Sequence, residues 1–303
     1  MPVTTRKKPS ATVNKPAGGS VASGSIRGKP AAKPAVSAPG TRPSAVAGAG
    51  KEDRHFVTAL ARGLQVLACF RSGESQLGNQ DLAQRCGLPK STVSRLTMTL
   101  TRLGYLIQVP ETGRYRLGIA TFSLGSAMLS RLDVRHVARP LMQELAAFAG
   151  ASVSLGARDR YSMIYVEHCR GSAPLTLSMD VGARIPLATS AIGRAYLAVI
   201  DERERREVMA EIEQHDEAAW PKVRAGIERA VKDHAAIGVA CSFGEWQREV
   251  NGIARAFHPG GGLPPMAINC GGPAATLSRE FLLKEVAPRL VDLTQRIEQM
   301  LPR

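Results

Sequence analysis

The first clear pattern of apolar and polar positions predicts two short helices joined by a tight turn between residues 77 and 104. Asn79 is a residue of the type that caps a helix N-terminus. Gly87 stands where a helix commonly ends in a left-handed residue, and Pro89 stands where the next helix can begin without losing a hydrogen bond. The turn between the helices is therefore expected to be short and sharp.

The second of these helices has one apolar face and a polar, basic front end. Its apolar residues recur at helical spacing and are expected to face a core: Val93, Leu96, Leu100 and Leu103. Its first turns carry short polar and cationic side chains: Lys90, Ser91, Thr92, Ser94 and Arg95. A recognition helix needs this combination, because its N-terminal residues meet base edges and phosphates in the major groove of DNA. An ordinary helical hairpin with a solvated basic end is the alternative.

The residues that follow predict a two-stranded wing, which favours DNA binding. Residues 105–107 form an apolar run, residues 110–113 supply turn chemistry, and Arg114 and Arg116 stand on the return strand. The wing arginines of a winged helix-turn-helix can contact the phosphate backbone or the minor groove. An upstream helix completes a domain at residues 54–118. Its core face is expected to consist of Phe56, Ala59, Leu60, Leu64 and Leu67.

Residues 119–132 predict a helix that is apolar on more than one face. Its large apolar residues are Ile119, Phe122, Leu124, Met128, Leu129 and Leu132. A lone surface helix needs only one apolar face, so something must bury the second. Packing against the winged helix and pairing with a second copy of the chain are both open.

From residue 133 to residue 303 the pattern predicts an α+β domain with an antiparallel sheet and helices to one side of it. Its first helix carries Val137, Leu141, Leu145 and Phe148 on one face and ends at Gly150. Strands are expected at 151–157, 161–169, 175–179, 239–243, 252–257 and 266–271. Further helices are expected at 194–200, 201–220 and 221–237 and from about residue 277.

The positive charge is concentrated near the N-terminus. The formal net charge is +14, and residues 1–51 hold nine Lys or Arg and no acidic residue. Residues 54–119 hold nine basic and three acidic residues, whereas the remainder of the chain is nearly neutral. This division favours DNA binding at one end of the chain and another role at the other. Residues 1–53, rich in Ala, Pro and Gly, are predicted to be a disordered basic tail.

Several classes of protein are disfavoured. No apolar run is long enough to span a membrane, so we expect a cytoplasmic protein. The six histidines are dispersed, and no metal-ligand spacing, nucleophile motif or phosphate loop is present, so we expect neither an enzyme nor a protein with a metal or cofactor. The five cysteines form no C-x-x-C pair, and reduced core thiols are favoured over a redox switch.

Four segments together resemble the isocitrate lyase regulator (IclR) family of bacterial transcription factors. They read HFVTALARGLQVLACF, QDLAQRCGLPKSTVSRLTMTLTRLGYL, GRYRLG and ARIPLATSAIGRAYLA, in the family's order and with similar spacings. The resemblance implies a winged helix-turn-helix, a linker helix that also pairs in a dimer, and a GAF-like effector-binding domain. It also implies homodimers or tetramers on double-stranded operator DNA.

The resemblance also implies an effector pocket in the C-terminal domain, because family members bind carboxylates there. Carried over by position, its residues are Ala191, Ile192, Glu245, Ile253, Arg255, Asn269 and Gly271. Leu175, Leu177 and Met179 are weaker candidates for an apolar wall.

Arg255 is a departure from the small residue that the family often has at this place. If it points inward, its planar guanidinium could hold a carboxylate through two hydrogen bonds. If it points outward, it is a surface charge or pairs with Glu245. The alignment in this stretch could also slip by one residue, which would exchange the two faces of the strand.

The sequence therefore predicts a transcriptional regulator, repressor or activator, that binds a specific operator. A small molecule, expected to be an organic acid, would change its affinity for that operator. An architectural DNA-binding protein that needs no effector is the alternative, suggested by the basic tail.

Overall fold

The computed structural model describes residues 55–71, 74–129, 133–172 and 179–301 of the chain. The predicted basic tail, Leu132, and the candidates Leu175 and Leu177 lie outside these residues.

A winged helix-turn-helix forms the N-terminal part. It consists of α1 (Thr58–Ala68), α2 (Asn79–Cys86), α3 (Lys90–Arg102), β1 (Leu106–Gln108) and β2 (Tyr115–Leu117). The two strands are antiparallel, with Leu106 opposite Leu117, and a bridge from Leu77 to Tyr115 adds a third short segment to the wing.

The turn between α2 and α3 follows the predicted chemistry, except at its first cap. Gly87 has a φ of 66° and ends α2, and Pro89 is the N-cap of α3. Asn79, however, is the first helical residue and not the cap. Gly78 takes the cap position because its N–H donates to the carboxylate of Asp81 at 3.0 Å. The Asn79 side chain instead donates to Ser94 Oγ at 3.2 Å and so connects α2 to α3.

The predicted core face of α1 is largely wrong. Leu67 packs against the buried cluster, but Phe56, Leu60 and Leu64 are 51%, 62% and 58% exposed. The cluster is formed by Val66, Cys69, Leu77, Leu82, Cys86, Val93, Leu100, Leu106 and Tyr115. Helical periodicity identifies an apolar stripe but not what covers it, and most of this stripe is covered by nothing within the described chain.

The face of α3 differs from the prediction at its C-terminal end. Val93 and Leu100 are buried, as predicted, and Leu96 packs partly against the same cluster. Leu103 is exposed, and the polar Thr97 is fully buried in its stead. Thr97 is tolerated there because its hydroxyl donates to the Ser94 carbonyl at 3.1 Å, so no buried polar group is left unpaired.

The next helix, α4 (Ile119–Leu129), has no buried residue along its described length. Ile119, Phe122, Leu124 and Met128 are each more than half exposed. In the single chain, α4 therefore exposes apolar side chains on more than one of its faces, and this large apolar surface is uncovered.

A six-stranded antiparallel sheet forms the centre of the C-terminal part. Its strands are β3 (Ser152–Asp159), β4 (Ser162–Cys169), β5 (Arg184–Pro186), β6 (Ala240–Phe243), β7 (Val250–Phe257) and β8 (Met266–Pro273), in the spatial order β5-β4-β3-β8-β7-β6. The short β5 lies in a stretch predicted to be a loop, and the predicted strand at 175–179 is outside the described residues except for Met179, which is not in a strand.

Helices cover both faces of the sheet. They are α5 (Asp133–Ala149), α6 (Ala191–Val199), α7 (Glu202–His215), α8 (Trp220–Ile237) and α9 (Arg279–Phe281), the last continuing through a π-helical turn (Leu282–Val286) into α10 (Ala287–Met300). The face with α5 and α10 buries Val153, Leu155, Ile253 and Ile268. The face with α6 and α8 buries Met163, Tyr165, Ala254 and Ala267.

The prediction of helices to one side is therefore wrong. Along β7 and β8, side chains on both faces of the sheet are buried, so helices must pack against each face. Phe148 of α5 was also expected in the core, but it is partly exposed, with Arg289 lying 3.8 Å from its ring centroid.

The packing of α6 generates a testable expectation. A Cβ at Gly193 would lie 2.1 Å from the carbonyl oxygen of Leu187, and neither backbone segment can move aside freely. Gly193→Ala should therefore lower the free energy of unfolding by about 1–3 kcal/mol, measured by urea denaturation. Gly63→Ala is the matched control, because that helical glycine has no atom within 4 Å of the added carbon. It should stabilise by about 0.5–1 kcal/mol. Equal effects at both sites would contradict this account of α6.

Candidate DNA interface and effector pocket

The front end of α3 is open to solvent. Lys90, Ser91, Ser94 and Arg95 are exposed, and Thr92 is half-buried. Two features place these residues. Pro89 is the N-cap of α3, so they lie in its first turns, and the burial of Val93 and Thr97 turns the opposite side of the helix towards solvent. The helix therefore presents two cations and small hydroxyl groups on one surface, which is the chemistry that base edges and phosphates require.

The two wing arginines differ in their surroundings. Arg114 donates to the carboxylate of Asp81 at 2.7 Å, and both side chains are about half exposed. Arg116 is exposed, and no residue in the described part of the chain forms an ion pair with it. The guanidinium group of Arg116 is thus open to solvent, whereas that of Arg114 is already bound by a carboxylate.

A narrow cavity lies between the sheet and α6 and opens to solvent. Its volume is about 30 Å³, enough for one or two water molecules, within about 340 Å³ of empty space that includes the open mouth. A larger ligand therefore needs the cavity walls to move apart. The cavity is lined by side chains of β4, β5, the start of α6, the β6–β7 connection, β7 and β8: Tyr165, Ile185, Ser190, Ala191, Ile192, Ser242, Trp246, Val250, Asn251, Gly252, Asn269 and Gly271. Four of the predicted effector residues, Ala191, Ile192, Asn269 and Gly271, are among them. Met179 packs partly against the apolar cluster on this side of the sheet.

The N-terminus of α6 forms one wall of the cavity. Ser190 is its N-cap, and Ser190 Oγ accepts a hydrogen bond from the Gly193 N–H at 3.2 Å. The N–H groups of Ala191 and Ile192 belong to the first turn, which has no hydrogen-bond acceptor within the helix. This wall therefore carries backbone donors and the positive end of the helix dipole.

A buried polar group forms another wall. Burial raises the pKa of Tyr165 to about 12, against hydrogen bonds from Asn269 and Ser154 that lower it. Ser154 Oγ is 2.8 Å from His168 Nδ1, and burial together with the nearby Arg170 lowers the pKa of His168. Tyr165 and His168 are therefore neutral at neutral pH.

Two polar atoms of the lining residues are buried without a hydrogen-bond partner in the described chain. They are Asn269 Oδ1, an acceptor, and Trp246 Nε1, a donor. Unpaired buried polar atoms are rare in native structures because each costs free energy, and a water, an ion or another group from outside the protein is one explanation for them. Trp246 and Tyr165 were not predicted from the sequence, since nothing in their spacing marks them as neighbours of Asn269.

Ile253 and Arg255, which were also predicted as effector residues, do not line this cavity. Ile253 is fully buried in the cluster beneath α5 and α10. Arg255 shares its side of β7 and donates to the Gly238 carbonyl at 2.7 Å. Because successive strand residues face opposite sides, a shift of the alignment by one residue is enough to exchange these two β7 residues for their neighbours on the cavity side. Gly252 and Ala254 occupy the cavity side instead.

Glu245 lies beside the cavity but binds two arginines of the protein. It contacts Arg194 of α6 and Arg229 of α8. Arg194 is only 3% exposed and also donates to the Ala188 and Cys241 carbonyls, at 3.1 Å each. Burial lowers the pKa of Arg194 to about 10, which still leaves it charged at neutral pH. Glu245 therefore neutralises a buried cation that holds α6 to β6.

A winged helix with an exposed basic recognition surface, joined to an antiparallel-sheet domain with a small cavity, defines a DNA-binding regulator with a sensor-type domain. Comparison with known protein families supports this assignment for both domains. The IclR helix-turn-helix domain matches residues 59–110, and the C-terminal domain of the bacterial transcriptional regulator IclR matches residues 126–299. The chain belongs to the IclR family, and it is a transcriptional regulator and not an enzyme.

Individual relatives cover most of the chain. The HTH-type transcriptional regulator TsaQ1/TsaQ2 of Comamonas testosteroni is 35% identical over 245 residues, 80% of this chain and 88% of that protein. The crystal structure of an IclR family regulator from Brucella abortus has 46% identity and a TM-score of 0.75, over 84% of this chain and 97% of that chain. An IclR homologue from Microbacterium hydrocarbonoxydans, solved with 4-hydroxybenzoate, has 21% identity and a TM-score of 0.63, over 80% and 98%.

The comparisons give no support to the alternative prediction, an architectural DNA-binding protein that needs no effector. Among the described helices, none is long and apolar enough to cross a membrane.

The Glu245 contacts lead to a prediction about stability. Glu245→Gln should lower the free energy of unfolding by about 1–3 kcal/mol, because the buried Arg194 would lose its neutralising charge. Glu280→Gln is the control, since Glu280 pairs with Lys284 on an exposed helix surface. It should change stability by less than about 0.5 kcal/mol. Urea denaturation measures both, and a harmless Glu245→Gln would mean that Arg194 is held by carbonyl groups alone.

Proposed function

We propose that this regulator senses a small organic acid, which binds in the cavity beside α6 and changes the affinity of a homo-oligomer for operator DNA. The observation that carries the proposal is the N-terminus of α6, which opens into a cavity whose other walls are mostly apolar. We expect the protein to act in the cytoplasm, where bacterial DNA is found.

Backbone donors, and not a side-chain cation, favour an acid here. The described residues that line the cavity include no charged side chain. The Ala191 and Ile192 N–H groups remain as the donors, and a helix N-terminus is a ready-made site for a carboxylate. Ile185, Ile192 and Val250 supply the apolar surface against which the carbon skeleton of the effector would pack.

The unpaired Asn269 Oδ1 further restricts the effector. An acceptor buried without a partner is satisfied by a ligand that carries a hydroxyl or N–H group. Tyr165, on the same wall, adds a neutral phenol that can donate or accept. A hydroxylated acid therefore matches both polar walls better than a simple carboxylate. The homologue solved with 4-hydroxybenzoate resembles this chain in fold alone, and its ligand serves as a probe.

The uncovered apolar surfaces of α1 and α4 support a homo-oligomer, a dimer or a tetramer. Leu60 and Leu64 of α1 and Phe122 and Met128 of α4 are each more than half exposed in the single chain. Large exposed apolar patches commonly mark protein interfaces. A symmetric pair would place two recognition helices on two half-sites of an operator, about one helical turn apart or a multiple of it.

The effector must bind unequally to the two arrangements of such an assembly. A ligand with equal affinity for both would shift nothing, and coupling energies of about 1–3 kcal/mol are typical. Leu129 of α4 packs against the buried cluster beneath α5 and α10, so a change in the effector domain can act on α4 and through it on the winged helix.

A comparison of two acids tests the pocket. Saturating 4-hydroxybenzoate should stabilise the protein by about 2.7 kcal/mol at 100 times its Kd, seen as a thermal shift. Asn269→Ala should weaken 4-hydroxybenzoate binding by about 1 kcal/mol and leave benzoate binding unchanged, because only the first acid has a hydroxyl group for Oδ1.

The control for that experiment is Arg255→Ala, which removes a side chain from the opposite face of β7 and should leave both ligand-induced shifts intact. If Asn269→Ala weakened the binding of both acids equally, the proposed contact between Oδ1 and the hydroxyl group of the effector would be wrong. If no carboxylate produced a thermal shift, the proposal that the effector is an organic acid would be wrong.

A second experiment tests the DNA interface on a duplex selected by the protein from a random pool. Arg95→Ala should weaken binding to the selected duplex by about 1–3 kcal/mol and affect a random duplex less, if Arg95 contacts a base. The same proposed DNA-binding surface includes Lys90, Ser91, Thr92 and Ser94. The wing residues Arg114 and Arg116 are proposed to contact the phosphate backbone of the DNA. Arg116→Ala should weaken both duplexes alike, because a phosphate contact carries no sequence information. The same loss for both variants on both duplexes would make Arg95 a phosphate contact too.

A further inference from the structure

Two cysteines of the winged helix lie in contact with each other. Cys69 stands at the C-terminal end of α1 and Cys86 is the last residue of α2. Their Sγ atoms are 3.2 Å apart, and both side chains are free thiols in the buried cluster. Seventeen positions separate them in the sequence, so only the packing of the two helix ends brings them together.

The two thiols are electrostatically unequal. The hydrogen bond between the two sulfur atoms lowers the pKa of Cys69, and the positive charges of Arg85 and Arg71 lower it further, although burial and the carboxylate of Glu74 oppose them. The same contact raises the pKa of Cys86. Because the thiolate is the reactive form, Cys69 is the nucleophile of the pair and Cys86 is placed to react second.

The other cysteines differ from this pair. Burial raises the pKa of Cys169, Cys241 and Cys270, the last two to about 11 and about 12. Among the described residues, none of the three has a second sulfur within hydrogen-bond distance. Cys69 and Cys86 are therefore the pair in this chain that combines a favoured thiolate with a neighbouring thiol.

The position of the pair connects it to the DNA surface. Cys86 directly precedes the turn at 87–89 that sets the start of α3. Two hydrogen bonds hold the same helix ends: Arg85 Nη1 donates to the Cys69 carbonyl at 2.9 Å, and Gln65 Nε2 donates to the Cys86 carbonyl at 3.2 Å. A covalent bond requires the sulfur atoms to be about 2.05 Å apart, so forming it draws the ends of α1 and α2 together or rotates the two side chains, directly beside the turn that sets the start of α3.

We infer that Cys69 and Cys86 form a peroxide-sensitive dithiol, whose oxidation to a disulfide lowers the affinity of the recognition helix for DNA. The Cys69 thiolate attacks hydrogen peroxide, forming a sulfenic acid and releasing hydroxide. The Cys86 thiol then attacks the sulfenic sulfur; the disulfide forms, the S–O bond breaks, and its proton completes the release of water. In sum, two thiols and one peroxide give one disulfide and two waters.

The burial of the pair selects the oxidant. Cys69 is 2% and Cys86 is 6% exposed, so a small uncharged oxidant is favoured over a bulky disulfide such as oxidised glutathione. The ion pair of Glu74 with Arg85 lies at the partly exposed edge of this site.

The experiment treats the full-length reduced protein with hydrogen peroxide and follows two quantities. Peptide mapping by mass spectrometry should identify a Cys69–Cys86 link. Affinity for a duplex selected by the reduced protein from a random pool should fall by about tenfold or more and return on addition of dithiothreitol. Oxidised glutathione at the same concentration should act far more slowly.

Three variants complete the design. Cys69→Ala and Cys86→Ala should bind the duplex in the reduced state and lose the response to peroxide, whereas Cys241→Ala, which keeps the pair, should respond like the natural protein. The inference is overturned if peroxide abolishes binding while Cys69 and Cys86 remain unlinked, or if the link forms and affinity does not change. Peptide mapping of the natural protein gives this answer even where an alanine variant fails to fold.

Discussion

The close packing of α6 against the sheet is the constraint on which the C-terminal part depends. Gly193 allows the helix to approach the backbone at Leu187, and Gly156 leaves room for the side chain of Ile192. Small residues on this side of β7 and β8, Gly252, Ala254 and Ala267, permit the same approach from the sheet. Larger side chains at these places would fill the space beside α6, so one set of small residues creates both the tight packing and the cavity.

The N-terminus of α6 is fixed by polar contacts as well as by packing. Arg194, in its first half, is bound by Glu245 and by the carbonyl groups of Ala188 and Cys241. Gly226 of α8 has no side chain, and the guanidinium group of Arg194 occupies the space that a side chain there would fill. A buried arginine satisfied on several sides tolerates little displacement, because each lost contact would leave a charge unpaired. The N–H groups at the start of α6 are therefore held in a fixed position, which would lower the entropy cost of binding the proposed effector.

Much of the architecture is predictable from periodicity and turn residues, as the helix-turn-helix with Gly87 and Pro89 illustrates. Sequence patterns describe one chain segment at a time, so they do not show what covers an apolar stripe. The apolar stripe of α1 is real, yet Phe56 and Leu64 face away from the local core. The side of β7 on which Arg255 lies was uncertain for a different reason: strand residues alternate with a period of two, and an uncertainty of one position is enough to reverse the face. Tyr165, Trp246 and the Cys69–Cys86 contact depend on long-range packing, for which the sequence has no local signal.

The ion pair of Arg114 with Asp81 has a consequence for the ionic-strength dependence of DNA binding. In the free protein the carboxylate of Asp81 lies 2.7 Å from the guanidinium group of Arg114. At the proposed interface a phosphate would replace Asp81 as the partner of Arg114, and the Asp81 carboxylate released from the pair would take up a cation from solution. The slope of log affinity against log salt counts newly formed phosphate contacts. At the proposed interface Arg116 would contribute to that slope in full, whereas the cation taken up by Asp81 would offset part of the contribution of Arg114.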